Sequence, residues 1–359
     1  MQFYLHVPFC RNKCGYCAFY SMPNAPEEWR KRYLAKVTET LKTIYFPEEV
    51  ESVYIGGGTP TLLQTSELQG LFEDLLHYLP LRSGAEWSIE ANPETLDGEK
   101  LDCLRHYGNR ISVGIQSFQP EKRRLLGRDC SCLAIENALE GIRSRGFPHF
   151  NCDLIYAIPG QTMDDFRSDL ERAAATGADH ISCYSLTPEE GTRLAGIGID
   201  EETSAAMWQM AGKVLAEKGF RRYEISNYAR PGGECYHNSA VWRGSLLRGI
   251  GPAAASYDGT DRTIECADLC QWLADTPPER DVLDRESRLR EIFAVNLRTA
   301  DGWRRSDFLA LPGADEALWR ELTAMPLPPQ WVKNGEKEHF ALTEEGMLFW
   351  DEAAMTFLA

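Results

Sequence analysis

The segment 3–20, FYLHVPFCRNKCGYCAFY, carries the strongest signal in the sequence for both fold and chemistry. It begins as a strand, FYLHV, and continues into a loop that places Cys10, Cys14 and Cys17 in a C-x3-C-x2-C array. Thiolates suit zinc, copper or an iron–sulfur cluster, and a structural zinc site takes four ligands. This loop offers three, and Phe19 occupies the place of a fourth. Three cysteines can hold three irons of a [4Fe–4S] cluster and leave one iron open, which favours ligand binding or catalysis at iron.

Strand-like and helical runs alternate from this segment to about residue 225. The strand candidates are FYLHV, SVYIG, WSIEAN, RISVGI, NCDLIYA and HISCYSL, each short and rich in β-branched or aromatic residues. The amphipathic helical candidates between and after them are EEWRKRYLAKVTETLKTI, SELQGLFEDLLHYL, TLDGEKLDCLRHY, SCLAIENALEGIRSRG, TMDDFRSDLERAAATG and ETSAAMWQMAGKVLAEKG. Six β–α units predict an α/β fold with a parallel sheet and external helices. Six units are too few for a closed eight-stranded barrel, so we predict a partial (βα)6 barrel.

Two further expectations concern element ends and domains. Thr65 or Ser66 is expected to cap the second helix, and glycines are expected to end later ones, at Gly146, Gly177 and Gly219. After residue 225 the alternation stops, and residues 226–259 read as a connection rich in Gly, Pro and aromatic residues. We therefore predict a barrel over 1–225 and a smaller, mainly helical C-terminal domain over 226–359.

Composition excludes several classes of protein. The net charge of −16 and pI near 5.0 disfavour binding to nucleic acid or anionic lipid. No apolar run approaches the ~20 residues that span a bilayer, and no export signal is evident. The odd count of 11 cysteines points to a reducing, cytoplasmic location. Eight of them are expected to be ordinary thiols outside any metal site: Cys103, Cys130, Cys132, Cys152, Cys183, Cys235, Cys266 and Cys270.

Polar and glycine-rich motifs follow the later strands in order. Alone, each would be read as a turn, a cap or a satisfied core group. Together with the cysteine loop they favour a ligand site, because ligands collect where parallel strands end. The residues are Gly56, Gly57, Gly58 and Thr59 after the second strand, Glu90 on the third, Gln116 on the fourth, Arg128 in the connection that follows it, and Asp153 on the fifth.

This pattern resembles the radical S-adenosylmethionine (SAM) superfamily. The resemblance implies that the amino and carboxylate groups of SAM chelate the fourth iron, and that one-electron reduction of the cluster splits SAM to give a 5′-deoxyadenosyl radical. Tyr16 matches the family's usual aromatic residue near the adenine. The SAM-contacting positions that the resemblance implies are Tyr4, Tyr16, Gly57, Gly58, Thr59, Glu90, Gln116, Arg128 and Asp153.

The motifs YLHVPFC, YIGGGTPT, SIEANP, SVGIQSF, DLIYAIPGQT and YEISNYARPG are similar to one branch of that superfamily. The branch holds the oxygen-independent coproporphyrinogen III oxidase and the heme chaperones of the HemW type. The oxidase carries a fourth cysteine where this chain has Phe19, and it has an extension before the cluster strand, whereas three residues precede Tyr4 here. The resemblance therefore favours the chaperone, which implies heme, a heme-accepting protein and an electron donor such as flavodoxin or ferredoxin. Oxidase activity is not expected, and whether SAM is turned over stays open.

The chain departs from the chaperone pattern at two positions. Val241 replaces the tyrosine of an H-N-x-x-Y-W motif, and Ala255 stands where a histidine is expected. His237 remains a candidate axial ligand for heme iron, with a hydrogen-bonded histidine as the alternative. The candidates for heme stacking and charge pairing are Trp242, Tyr228 and Arg230. Three other functions stay open: the oxidase, a radical SAM methyltransferase or cyclopropanase, and a non-catalytic cluster-binding module.

Overall fold

The computed structural model describes residues 1–333 and 338–358. All six predicted β–α units are present; the third strand begins six residues before its predicted start, and the other bounds lie within three residues of the predicted ones. The strands β1 to β6 span Gln2–Val7, Val50–Gly57, Leu81–Ala91, Arg110–Gln116, His149–Tyr156 and His180–Ser185. The helices α1 to α6 span Glu27–Thr43, Thr65–Tyr78, Gly98–Tyr107, Cys132–Arg145, Met163–Ala175 and Glu201–Glu217. Shorter pieces lie between them: a strand pair Phe9–Cys10 and Met22–Pro23, a helix Pro120–Leu125, and 3₁₀ turns Pro60–Leu62 and Pro93–Thr95.

The six strands form one parallel sheet in chain order, as the crossover helices require. Side chains alternate between its two faces. On β1, Phe3, Leu5 and Val7 are fully buried among the apolar residues under the helices. Tyr4 and His6 face the opposite side, the barrel interior, which is therefore polar.

The helix ends lie where the sequence predicts them, with one exception. Gly146 ends α4 in the left-handed conformation, where a side chain would be strained. The predicted cap at Thr65 or Ser66 is wrong, because α2 already begins at Thr65 and Gln64 is its N-cap. The backbone N–H of Gln64 donates to the Glu67 carboxylate at 2.8 Å, so the acidic residue of the first turn closes this end of the helix.

Strands beyond residue 220 extend the sheet at both edges. They are β7 to β12, at Arg221–Arg222, Asn227–Ala229, Leu247–Ile250, Ala255–Tyr257, Arg262–Ile264 and Glu279–Asp281, with helix α7 at Tyr236–Trp242 and α8 at Leu269–Leu273. The order of the 12-stranded sheet in the described chain is β12-β11-β10-β9-β1-β2-β3-β4-β5-β6-β8-β7. β9 runs parallel to β1, and the outer strands are antiparallel. The predicted connection over 226–259 thus contains three of these strands and helix α7, which the sequence did not predict, and the domain boundary at residue 225 stays a prediction.

Helix α7 closes the end of the barrel where the strands begin. The Glu86 carboxylate on β3 accepts hydrogen bonds from the backbone N–H groups of Tyr236 at 3.1 Å and His237 at 3.0 Å. Arg110 on β4 pairs with Glu86 at 3.0 Å and donates to the Glu234 carbonyl at 2.9 Å. Glu86 is almost fully enclosed, yet its pKa lies below the usual range because Arg110 and these N–H groups offset its burial.

The rest of the chain is mainly helical, as expected. Helices α9 to α13 span Arg285–Asn296, Arg305–Leu309, Glu316–Thr323, Glu344–Leu348 and Trp350–Leu358, with a 3₁₀ turn at Pro329–Trp331 and a strand pair β13 and β14 at Trp303–Arg304 and His339–Phe340. Its core is aromatic: Phe293 lies 5.5 Å from Phe308 and 5.1 Å from Phe357, measured between ring centroids. None of the described helices is long and apolar enough to cross a membrane.

Candidate cluster and cofactor site

The cysteine loop lies at the end of the barrel where the strands finish, directly after β1. Two neighbouring loops hold it through the backbone of Gly15. The Gly15 N–H donates to the Leu126 carbonyl at 2.8 Å, and the Leu194 N–H donates to the Gly15 carbonyl at 2.9 Å. The loop after β4 and the loop after β6 therefore position the cysteines.

All three cysteines of the loop are free and half-buried. Sγ of Cys10 lies 3.7 Å from Oγ1 of Thr59, so the first cysteine contacts the end of the glycine run. Among the described residues, no group of three or more His, Cys, Asp and Glu side chains is placed to hold one metal ion. A [4Fe–4S] cluster does not require ligands that converge on one point, because each thiolate binds a different iron.

Phe19 occupies the position of a possible fourth cysteine, and its side chain is 70% exposed. The Phe19 side chain therefore lies mostly in solvent. A cysteine at this place in the loop would also be directed outward, unless the loop changed its conformation.

The glycine run at the end of β2 packs tightly against its neighbours. An added Cβ would lie 2.9 Å from the Glu90 carboxylate at Gly56, 2.7 Å from the His6 ring at Gly57, and 2.7 Å from the Phe9 carbonyl at Gly58. Gly57 also has a φ of +107°, which disfavours any side chain. The N–H groups of Gly58 and Thr59 are already used, by the carbonyls of residues 7 and 9 at 2.8 and 2.7 Å. A ligand amino group here would have to donate to the carbonyl oxygens of the run.

Glu90 projects into the barrel interior from β3. It accepts hydrogen bonds from the Tyr54 hydroxyl at 2.9 Å and from the Gly57 N–H at 3.0 Å. Burial raises its pKa to about 7, although both hydrogen bonds oppose that shift. A cationic or hydroxyl-bearing ligand group beside this carboxylate would stabilise its ionised form.

Asp153 faces the same interior from β5. Ser112 donates to it at 2.9 Å and Asn151 at 2.7 Å. Burial again raises the pKa, and the Arg128 charge lowers it by a smaller amount. The two carboxylates of Glu90 and Asp153 are close enough that Asp153 contributes to the raised pKa of Glu90. Two such carboxylates in one interior space favour a positively charged ligand.

Gln116 and Arg128 meet over Gly114. A Cβ on Gly114 would lie 2.9 Å from the amide nitrogen of Gln116 and 2.9 Å from a guanidinium nitrogen of Arg128. Gln116 adopts a φ of +69°, which is costly for a non-glycine residue and is typical of functional sites. Nε of Arg128 is buried and has no hydrogen-bond partner among the described residues. A ligand carboxylate would supply the missing acceptor.

Tyr4 and Tyr16 have different surroundings. Tyr16 packs against the apolar cluster of Leu126, Ile155, Ile158 and Leu186, and its hydroxyl lies 3.4 Å from Arg128. The Tyr4 hydroxyl donates to Nδ1 of His6 at 3.0 Å, because Nε2 of His6 already donates to the Tyr20 carbonyl at 2.9 Å. Burial lowers the pKa of His6, which keeps the ring neutral in this role.

Four residues of this site were not predicted. His6 and Tyr54 link the implied SAM positions, Gly114 makes room for two of them, and Tyr184 on β6 faces the interior with 42% of its surface exposed. Strand alternation could have identified three of them, because Tyr4 and His6, Tyr54 and Gly56, and Gly114 and Gln116 are pairs two residues apart on one face.

These residues fit a [4Fe–4S] cluster and SAM. The loop supplies three free thiols, a buried guanidinium nitrogen of Arg128 has no partner among the described residues and could bind a carboxylate, and two buried carboxylates could bind a cationic or hydroxyl group. Burial raises the pKa of the Cys10 and Cys17 thiols, so iron must supply the positive charge that favours their thiolate forms.

His237 does not belong to this site. It is 5% exposed in the floor of the barrel, and its ring packs 5.1 Å from that of Tyr54. Its Nδ1 lies 2.7 Å from Oγ of Ser52 and donates to it, because the Ser52 hydroxyl itself donates to Gln2. Burial lowers its pKa to about 4. This is the hydrogen-bonded alternative, and the placement does not favour His237 as an axial heme ligand.

The other heme-related candidates are dispersed. Tyr228 is 1% exposed and accepts from Arg222 at 2.7 Å, and the Arg230 guanidinium lies 4.4 Å from the centre of the Phe220 ring. The structure does not bring them together with Trp242, which lies under Arg298 at 4.6 Å. Tyr228 therefore offers no open stacking surface, and Trp242 and Arg230 each pack against another side chain.

The two departures from the chaperone pattern share one location. Val241 and Ala255 both line a pocket of about 80 Å³, together with Trp242, Tyr257 and Ile292. Ligand pockets for small organic molecules measure about 300–1,000 Å³. This pocket is therefore too small for heme.

Comparisons with known proteins identify the family. The radical SAM superfamily matches residues 4–173. The heme chaperone HemW of Mycobacterium tuberculosis is 37% identical over 273 residues, covering 72% of this chain and 70% of that protein. The heme chaperone HemW of Escherichia coli is 30% identical over 374 residues, covering 100% and 98%. The chain belongs to the HemW family of radical SAM proteins.

The fold of this HemW-family chain has a solved counterpart. The coproporphyrinogen III oxidase HemN of Escherichia coli, described as a radical SAM enzyme, superimposes with a TM-score of 0.85. The match covers 99% of this chain and 89% of that one at 23% sequence identity. It establishes the architecture that a HemW-family chain shares with HemN, and it carries no conclusion about the reaction.

Proposed function

We propose that this protein is a heme chaperone that carries a [4Fe–4S] cluster and SAM, and that it passes heme to an acceptor protein. Cys10, Cys14 and Cys17 are the cluster ligands in this proposal. The observation that carries the chaperone assignment is the similarity to HemW of Escherichia coli along the whole chain. Phe19, exposed where the oxidase type has a cysteine, supports the same assignment.

Different residues of the site bind different parts of SAM in this proposal. Arg128 donates to the carboxylate of the methionine part, and the carbonyl oxygens of Gly56 and Gly57 accept from its amino group. Glu90 and Asp153 accept from hydroxyl or amino groups, and Tyr16 packs beside the adenine. When bound, a cluster with an open iron supplies one electron to the sulfonium of SAM. Tyr4, Gln116 and Thr59 complete the wall around the ligand.

The heme site needs a larger space than the pocket at Val241. A groove of about 640 Å³ lies between α6 and α12, with Trp208, Lys213 and Phe349 among its lining residues. Phe349 is 39% exposed, which offers an apolar face to a porphyrin. Lys213 could pair with a propionate. We infer that this groove is the place at which heme binds.

Heme titration tests both parts of the proposal. Reconstituted wild-type protein is expected to develop a Soret band that saturates with heme. Ala216→Trp, which fills the groove, is expected to weaken binding, whereas Glu217→Trp at the next position is the matched control. His237→Ala should bind as wild type does. A wild-type protein without a saturable Soret band would contradict the chaperone, and equal binding by both tryptophan variants would contradict the groove.

The oxidase alternative has its own assay. The same sample receives coproporphyrinogen III, SAM and a reductant, and protoporphyrinogen is measured. The proposal expects no product above that of a sample without protein. Product at many turnovers would assign the oxidase activity instead. The cytoplasmic location and the absence of nucleic-acid partners stay predictions from the sequence.

A further inference from the structure

Polar side chains from three neighbouring strands meet in the barrel interior beside Asp153. Strand register places Ser112 on β4, Asn151 on β5 and His180 on β6 side by side. Interior side chains recur every second residue, so Asp153 is the next interior residue of β5 after Asn151, toward the end of the strand. Ser112, Asn151 and His180 are all buried. Buried polar groups of this kind need hydrogen-bond partners, and these residues find them in one another.

Asn151 connects the other two residues to Asp153. Its side-chain nitrogen donates to Oδ1 of Asp153 at 2.7 Å and to Oγ of Ser112 at 2.7 Å. The Ser112 hydroxyl in turn donates to Oδ2 of Asp153 at 2.9 Å. The amide has this orientation because an ionised carboxylate can only accept hydrogen bonds. The side-chain oxygen of Asn151 therefore faces away from Asp153, toward β6.

His180 donates to that oxygen. Nδ1 of His180 lies 2.7 Å from Oδ1 of Asn151, and the Ser182 hydroxyl makes a longer hydrogen bond to the same atom at 3.2 Å. Burial lowers the pKa of His180 to about 3, so the ring is neutral and carries one proton. The proton is on Nδ1, because an amide oxygen cannot donate. Nε2 of His180 is therefore an acceptor, and the Tyr223 hydroxyl donates to it at 2.8 Å.

Tyr223 is itself fixed in position. Its buried ring packs on His180 with 5.5 Å between the ring centroids. The Tyr223 carbonyl accepts from the Ala300 N–H at 2.9 Å, and its N–H donates to the Asn227 carbonyl at 3.1 Å. Tyr223 is thus held between β8 and the turn that follows α9.

The hydrogen bonds among these residues run in one direction, from Tyr223 to His180, then to Asn151 and finally to Asp153. We call this series the interior chain. Hydrogen bonds in series polarise one another, so the loss of one weakens those that follow. A carboxylate has about four acceptor sites. Asn151 and Ser112 use one on each oxygen of Asp153, and the other sites remain for a ligand.

We propose that His180 is a positioning residue of the SAM site, which acts through Asn151 to orient the Asp153 carboxylate toward hydroxyl or amino groups of SAM. Tyr223 fixes the tautomer of His180 that this role requires. The inference rests on the SAM part of the proposed function and is independent of heme. His180 acts at one remove from the ligand, because Asn151 lies between it and Asp153.

Equilibrium titration of SAM against the anaerobic, cluster-loaded protein tests the role of His180 with two substitutions of nearly equal size. His180→Asn keeps a side-chain N–H close to the position of Nδ1, whereas His180→Leu has a similar shape and no donor. The two variants lose the same ring, so a difference in their SAM affinity measures the donor. His149→Leu is the matched control, because Nδ1 of His149 lies 2.7 Å from the Asp179 carboxylate, outside the interior chain.

His180→Leu is expected to lower SAM affinity by about fivefold, the effect of one lost hydrogen bond, and His180→Asn by about twofold at most. In an Asn151→Leu protein the interior chain is already broken, so adding His180→Leu should lower affinity no further. His149→Leu should match wild type. Equal affinities for His180→Leu and His180→Asn would overturn the inference. Losses that add in the double variant would also overturn it.

Tyr223→Phe gives a second test that does not depend on the folding of variants at His180, because the ring and its packing are kept. Without the hydroxyl proton, the imidazole can adopt either tautomer, and SAM affinity should fall by about two- to threefold. Unchanged affinity in Tyr223→Phe would contradict the role of the tautomer. A wild-type protein that binds no SAM would contradict the proposed function, and this inference with it, whereas the variant results bear on the inference alone.

Discussion

The backbone N–H of Gly57 donates a 3.0 Å hydrogen bond to the Glu90 carboxylate, which ties the glycine run after β2 to the end of β3. Gly56 and Gly57 leave no room for a Cβ, because Glu90 lies on one side and His6 on the other. The run is therefore a packing requirement of the barrel as well as a place for a ligand. Substitution there should disturb β1, β2 and β3 together.

Replacing Cys14 by Ala should abolish the cluster, since two thiolates cannot hold three irons in place. Iron and sulfide content and the visible absorbance of the reconstituted protein measure this loss. Cys10→Ala and Cys17→Ala should behave in the same way. Cys270→Ala is the control, because this exposed thiol lies outside the cysteine loop. Full four-iron content in Cys14→Ala would show that another residue completes the cluster.

Replacing Arg128 by Ala should weaken SAM binding and leave the cluster intact. The lost charge-assisted hydrogen bond is worth roughly 1.5–3 kcal/mol, which corresponds to about tenfold or more in affinity. Equilibrium titration of SAM against the anaerobic protein measures the change. Arg124→Ala, an exposed arginine four residues earlier, is the control. An Arg128→Ala protein with wild-type affinity would remove Arg128 from the site.

Glu90 should make the stability of the SAM-free protein fall as the pH rises. Its pKa in the folded protein is about 7, above the unfolded value near 4.5, so the folded state binds more protons between these limits. Raising the pH from 4.5 to 7 then costs stability because the buried carboxylate ionises. Glu90→Gln should remove this contribution to the pH dependence of the melting temperature, while Asp169, whose pKa burial raises to about 6, still contributes in the same direction and the buried His237, with its pKa lowered to about 4, contributes in the opposite one. An unchanged pH dependence in Glu90→Gln would contradict the pKa and its cause.

Replacing His237 by Ala should destabilise the fold. It leaves the buried Ser52 hydroxyl without one partner and removes a ring that packs on Tyr54, at a cost on the order of 2 kcal/mol or more. Urea unfolding measures the difference. His237→Asn, whose amide can still donate to Ser52, should lose less stability. Wild-type stability in His237→Ala would mean that the barrel floor does not depend on this ring.

The sequence predicts the barrel well because its signals are local. Each of the six strands is a short apolar run bounded by turn residues, and the cysteine loop follows the first of them. The strands β9 to β12 escaped prediction because runs such as LRGI and ERD have no alternating pattern. They become strands by pairing with β1 or with one another, and the pairing of Gln2 with Leu247 joins distant parts of the chain.

Burial is the other quantity that the sequence could not supply. His237 looked like a ligand because histidines bind iron, but Glu86 on β3 anchors the start of α7 and turns its ring into the barrel floor. The partners of Arg128 and Asp153 likewise depend on which strands are neighbours. By contrast, the glycine run, Glu90 and Gln116 lie where β2, β3 and β4 finish, as parallel strands that end together require, whereas Asp153 lies within β5.

The central claim is that three cysteines hold a four-iron cluster whose remaining iron is open to SAM. Mössbauer spectroscopy of protein reconstituted with ⁵⁷Fe, recorded with and without SAM, tests it most directly. The account predicts that the signal of one iron changes when SAM is added, while those of the three thiolate-bound irons stay as they were. A spectrum that SAM leaves unchanged, or in which all four irons respond alike, would contradict it.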